Sequence, residues 1–179
     1  MMANPKAPKL MLSLLRHAKA TRDEPGGGDI ARPLTGRGRR NSDAAGMIIA
    51  GSNLEPDFVL CSTSTRTRET LELVRPHLHT QLKLVFADSL YLAGPLTLLR
   101  HLHEAPKSAR HIMVVGHNPG LHALALELVA GGPQDLIGAL GRKMPTCALA
   151  VMSFGLGSWP QIMAGTGHLL AFNSPSDAD

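Results

Sequence analysis

Along the chain, short apolar runs alternate with segments whose apolar residues recur at helical spacing. The runs fall at 10–15, 58–61, 82–86, 112–115 and 148–154, with a weaker one at 161–164. The helical pattern covers about 38–50, 65–78, 95–103 and 119–129. This order predicts βαβ units and a largely parallel sheet with helices against it. The last two runs are separated by "GLGSWP", a turn composition, so an antiparallel strand or hairpin is expected to close the sheet. "GGPQDLIGALGRKMPT" reads as a surface loop and "NSPSDAD" as a frayed tail. The pattern has no internal repeat and no domain-splitting linker. It predicts one domain over 1–179 with a core at about 10–165 and flexible ends at 1–8 and 172–179.

Composition narrows the class. A chain of 179 residues with 44% hydrophobic content buries a real core and is neither a disordered tail nor a membrane protein. Its longest N-terminal apolar run is too short to span a bilayer, and a cytoplasmic protein is expected. Two cysteines make neither a disulfide framework nor a Cys-rich metal site. The net charge of +4 comes with only 3% aromatic residues, too few for the stacking that a nucleic-acid surface uses. An anionic small group or a phosphoprotein is the better-suited partner.

Chemistry gathers where strands end. "MLSLLRHAKA" runs out of a buried strand into Arg16 and His17, side by side. In a regular strand their side chains would face opposite ways, but the pleat is lost at the strand end and Ala18 permits a turn that aims both at one point. "VVGHNPGL" places His117 at the same level, between a glycine turn and the Asn118-Pro119 helix start. "CSTSTRTRET" supplies hydroxyls and N–H groups at a helix N-terminus, with Arg66 in the first turn. An arginine there opposes the helix dipole, so a ligand explains it better than stability does. Arg68 points elsewhere, as a surface charge or a partner for Glu69 or Glu72. Two guanidiniums and two imidazoles suit a phosphoryl dianion, which arginine grips bidentately. Neighbouring cations keep one imidazole neutral, so Arg16 would hold the phosphoryl group that His17 attacks.

Together these pieces resemble the histidine phosphatase superfamily, the phosphoglycerate mutase-like proteins, and within it the short SixA-type phosphohistidine phosphatases. The resemblance rests on "LLRHAK", on "RPLTGRG" from Arg32 to Gly38, on Ser62, Arg66 and Thr70 at spacings of four, and on "VVGHNPGL". It runs in order from about residue 10 to 129. It implies a three-layer α/β/α sandwich, His17 as the phospho-accepting nucleophile, and Arg16, Arg66 and His117 as catalytic and phosphate-binding residues. It also implies hydrolysis through a phosphohistidine intermediate with no metal or other cofactor. Ser62, Asp23 and Arg32 are further candidates to touch the phosphate, the last two if the Gly-rich loop 21–40 folds over the site.

Two departures from the family pattern bear on substrate. The usual Gly after Arg-His is Ala18, and the longer insertion that carries a carboxylic general acid in many relatives is missing. Asp88, in "FADSLYLAG", is the one candidate acid, and a loop or cap role suits it equally. A phosphohistidine substrate relaxes the need for an acid, because imidazole leaves more readily than an alkoxide. The leading expectation is therefore phosphohistidine in a protein, such as a histidine phosphotransfer domain. The alternatives are a small-molecule phosphomonoesterase or mutase of the same superfamily, and a non-catalytic phosphoprotein-binding module. Zinc at His77/His79 or His101/His103 lacks further ligands. His111, His122 and His168 read as surface or capping residues, and the methionines as core filler.

Overall fold

The computed structural model describes residues 10–22 and 27–174; the candidate Asp23, the expected flexible end at 1–8 and residues 175–179 of the one expected at 172–179 lie outside them, whereas Phe172 and Asn173 belong to the last strand. Seven strands form one sheet: β1 (Leu10–Arg16), β2 (Phe58–Ser62), β3 (Lys83–Ala87), β4 (His111–Gly116), β5 (Val129–Gly131), β6 (Leu149–Phe154) and β7 (Gly167–Asn173). Their order is β3-β2-β4-β1-β6-β7-β5. The pairs β3/β2, β2/β4 and β4/β1 are parallel, β6 is antiparallel to both β1 and β7, and β5 pairs parallel with β7.

Among the described residues five α-helices cover the sheet: α1 (Gly36–Gly51), α2 (Thr65–Val74), α3 (Pro95–His103), α4 (Gly120–Leu128) and α5 (Gln134–Arg142). The central strands β1, β2, β4 and β6 are mostly apolar on both faces because both are covered. Leu10, Leu12, Leu14, Phe58, Leu60, Ile112, Val114, Ala150 and Met152 face one core with residues of α3, α4 and α5. Leu15, Val59, Cys61, Met113, Val115, Leu149 and Val151 face the other, with Ala45 and Ile49 of α1 and Leu71 and Val74 of α2. These are the three expected α/β/α layers.

Four sequence expectations change. The segment expected to be a loop at 131–146 contains α5, whose Leu136, Ile137 and Leu140 pack on the core while its glycines blur the helical pattern. The last strand lies at Gly167–Asn173, and 161–164 instead follows the short 3-10 turn Trp159–Gln161 that seats buried Trp159. The second helix pattern, 65–78, breaks at Arg75–His77 into a 3-10 turn. His111 is also no surface residue: it is 6% exposed, and its Nε2 is 2.8 Å from Ser13 Oγ.

The antiparallel strand β6 shapes the carboxyl end of β1. Because β6 runs against β1, with Leu149 opposite Leu15, its entering segment 144–148 lies beside the residues that end β1. Arg16 N–H donates to the Ala148 carbonyl and Cys147 N–H to the His17 carbonyl, each at 3.0 Å.

Candidate active site

Arg16 closes β1 and His17 is the first residue beyond it. Both line one cavity of about 320 Å³, together with Lys19, Ala20, Asp29, Arg32, Arg66, Leu92, His117, Asn118 and Thr146. The loss of pleat at the strand end does bring the two adjacent side chains to one place.

The three residues spaced by four each do a separate job. Thr70 Oγ1 accepts from the Ala18 N–H at 3.0 Å and donates to the Arg66 carbonyl at 2.7 Å, which fixes the turn after His17. Arg66, one helical turn earlier on the same face of α2, points into the cavity. Ser62, at the end of β2, lies behind His117, its Oγ 2.8 Å from His117 Nε2. Ser62 is fully buried and orients the imidazole instead of lining the cavity. Ser64 and Thr67 hydroxyls are spent on capping α2.

Chemistry assigns the ring protons. His17 Nδ1 lies 2.7 Å from the Ala18 carbonyl oxygen, which only accepts, so Nδ1 carries the proton and Nε2 keeps its lone pair. His117 Nδ1 is 3.3 Å from Arg66 Nη2, which only donates, so Nδ1 accepts and Nε2–H donates to Ser62. The rings stand 5.3 Å apart. Burial, opposed by the Ala18 hydrogen bond and aided by Arg66, Arg16 and Arg32, pushes the His17 pKa down to about 4. Burial and then the neighbouring His17 and Arg66 push His117 down to about 3. Both rings are neutral at pH 7.

The arginines share one pattern. Arg16 donates through Nη1 to the Met144 carbonyl at 2.9 Å, and Arg66 through Nη1 to the Asp29 carbonyl at 2.6 Å. The Nε of each is buried with no hydrogen-bond partner among the described residues. Burial, then Arg66, lowers the Arg16 pKa, so the two cations strain against each other across a space suited to an anion. Asn118 donates through Nδ2 to the same Met144 carbonyl at 2.9 Å, leaving its Oδ1 with no hydrogen-bond partner among the described residues.

The "RPLTGRG" segment is explained by contact. Thr35 caps α1 by accepting from Gly38 N–H, and its own N–H and hydroxyl donate to the Lys19 carbonyl. A Cβ on Gly38 would sit 2.1 Å from that carbonyl oxygen, so only glycine lets α1 meet the turn after His17.

Of the remaining described candidates, Arg32 lines the cavity, whereas Asp88, just past β3, does not line it and accepts from Thr63 Oγ1 at 2.7 Å. Arg68 is exposed, the surface charge that one of its two expectations gave, and stacks over Phe86, 5.0 Å from the ring centroid. Sequence reasoning missed Asp29, Tyr91, Met144 and Thr146. Asp29 is hidden in the Gly-rich loop, although its spacing of three before Arg32 matches the ion pair they form at 2.6 Å. No group of three His, Cys, Asp or Glu among the described residues is arranged to hold a metal, and no described helix is long and apolar enough to cross a membrane.

The fold is an α/β sandwich whose cavity is rich in guanidinium and imidazole groups, and comparison with known proteins defines the class. The model of the histidine phosphatase superfamily (branch 1) matches residues 12–90. The uncharacterized protein Rv1276c of Mycobacterium tuberculosis is 32% identical over 163 residues, covering 90% of this chain and 99% of that one. Among solved structures, a candidate phosphohistidine phosphatase SixA from Nakamurella multipartitia superposes with a TM-score of 0.80 at 30% identity, covering 94% of this chain and 97% of the other. Another from Agrobacterium tumefaciens gives 0.78 at 29%, covering 93% and 98%. The chain belongs to the histidine phosphatase superfamily. It is a phosphatase of the SixA-like kind.

Proposed function

We propose that this phosphatase hydrolyses phosphohistidine in a protein, without a metal, by passing the phosphoryl group through His17. The observation that carries the reading is the pair of arginines, each tied to a backbone carbonyl yet keeping a buried Nε with no hydrogen-bond partner among the described residues, in the same cavity as His17. Arg16 and Arg66 bind the phosphoryl oxygens, and His117 joins them once its proton moves to Nδ1 and the Ser62 hydroxyl donates to Nε2 in its place, while Arg32 adds positive charge at the rim. His17 Nε2 attacks phosphorus while the P–N bond of the substrate breaks and its electron pair stays on the substrate imidazole. Water then attacks the phosphoryl group on His17. The Nε2–P bond breaks, its pair returns to Nε2, and inorganic phosphate leaves with the oxygen of that water.

Substrate class follows from the missing acid. Asp88 is turned away, and Asp29 is held well below the usual carboxylate range, first by the Tyr91 hydroxyl and also by Arg32 and Arg66. Asp88 is not aimed at a leaving group, and Asp29 is ionised at pH 7 with no proton to give one. An imidazole protonated on its distal nitrogen departs as a neutral ring and needs no such donor, whereas an alkoxide does. A histidine phosphotransfer domain presents such a group on its surface, and the similarity to SixA structures supports the same choice.

The test is phosphate release from a phosphohistidyl protein domain with a chelator present and His17→Ala run in parallel. Release that survives the chelator and falls at least about 1,000-fold in the variant is expected. Loss of release with the chelator contradicts metal independence. Cleavage of small phosphate esters alone moves the substrate to the small-molecule alternative.

A further inference from the structure

We propose that Asp29 is a positioning residue, which holds the Arg66 guanidinium in the plane that meets the phosphoryl group. The inference rests on Arg66 being a phosphate ligand, as proposed above. The Arg66 side chain is 2% exposed, and most of its grip comes from one residue. Asp29 takes Nη1 with its backbone carbonyl at 2.6 Å and Nη2 with carboxylate Oδ2 at 2.9 Å. Two acceptors on one residue fix a planar guanidinium in both tilt and rotation, as a single bond cannot. The nitrogen left without a partner among the described residues is Nε.

The carboxylate is itself held from both sides. Tyr91, the chain's single tyrosine, donates its hydroxyl to Oδ2. Its ring centroid is 5.7 Å from the Arg66 guanidinium carbon and edge-on to His117 at 5.4 Å. On the other oxygen, Arg32 donates from Nε at 2.9 Å and Nη2 at 2.6 Å, while its Nη1 reaches the Thr21 carbonyl at 2.7 Å. The 3-10 turn Asp29–Ala31, the turn at Tyr91 and α2 therefore meet at one carboxylate. Such a network costs conformational freedom in three segments, which loop anchoring alone does not require. Its negative charge lies between Arg66 and Arg32 and relieves the repulsion among the pocket's cations.

The opposite role, a carboxylate that competes with the phosphoryl group for Arg66, makes a contrary prediction. Asp29→Asn, Arg66→Ala and the double variant are compared with wild type for kcat and KM on a phosphohistidyl domain. Orthovanadate binding is measured by calorimetry, and thermal unfolding confirms that each variant is folded. Asp29→Asn keeps the shape of the side chain and removes its charge. The expected result is a loss in kcat/KM of about 10- to 100-fold in the wild-type background, mostly in kcat, with weaker orthovanadate binding. In the Arg66→Ala background the same change costs less than about twofold, because its effect passes through Arg66. Tighter orthovanadate binding or faster turnover in Asp29→Asn overturns the proposal in favour of a competitor. Equal losses in both backgrounds overturn it in favour of a role independent of Arg66. If Arg66→Ala alone leaves orthovanadate binding and turnover unchanged, the phosphate-ligand reading itself fails and this inference falls with it.

Discussion

His17 and His117 are both neutral for the same first cause, burial, yet their protons sit on opposite nitrogens. The Ala18 carbonyl keeps the proton on Nδ1 of His17, while Arg66 and Ser62 keep it on Nε2 of His117. One ring is thereby left with a lone pair for the cavity. The other can change partners when an anion draws Arg66 away. A His17 pKa of about 4 means that the proposed nucleophile is neutral above that value and protonated only below it. In ligand-free protein the His17 Cε1 proton should therefore titrate by NMR with a midpoint near pH 4; a midpoint near 6.5 contradicts the burial argument. The sign extends to stability. The folded chain holds His17, His111 and His117 at about 4, 4 and 3, below the ordinary 6.5. Between pH 6.5 and 4 the unfolded chain binds more protons, so stability is full above this window and falls as the pH drops through it.

At the scale of elements, close backbone approach decides where the site can form. Gly38 brings α1 against the Lys19 carbonyl. Gly120 brings the start of α4 against Ala93, where a Cβ would fall 1.8 Å from the carbonyl oxygen. Gly38→Ala should cost about 2 kcal/mol or more and lower Tm by about 5 °C. Gly141→Ala, with nothing within 4 Å of its added Cβ inside α5, should be neutral or slightly stabilising. Calorimetric unfolding of the two variants checks the contrast; equal Tm values contradict it.

The same scale explains what the sequence made legible. β1, β2 and β4 read clearly because a strand covered on both faces is apolar throughout, and Arg16, His17, Arg66 and His117 stand out as the polar residues that interrupt those junctions. The α5 helix did not read, because Gly138 and Gly141 break up a stripe of only three core residues. The last strand did alternate, with Gly167 and Leu169 buried and His168 and Leu170 exposed, but flanking turn residues disguised it. Asp29 and Met144 act through contacts 37 and 128 residues away, and no local spacing records those.

Across the whole molecule, the cavity draws on the carboxyl ends of β1 and β4, the first turn of α2, the entry to β6 and the turn at Asp29. An antiparallel strand inserted next to β1 brings the Met144 carbonyl within reach of Arg16 and Asn118 without a long insertion. The resulting pocket is rich in donors and cations, and its carboxylate is already engaged by three partners. Such a site suits a phosphoryl group better than it suits protonation of a leaving group, and a covalent phosphohistidine on His17 is the species that the proposed mechanism requires. Rapid alkaline quenching of the enzyme mixed with a phosphohistidyl domain, followed by peptide mass spectrometry, looks for that species itself. A transient phosphoryl group is expected on His17, absent from His17→Ala and appearing before free phosphate. Turnover with no label on His17, or with the label on His117, would contradict it.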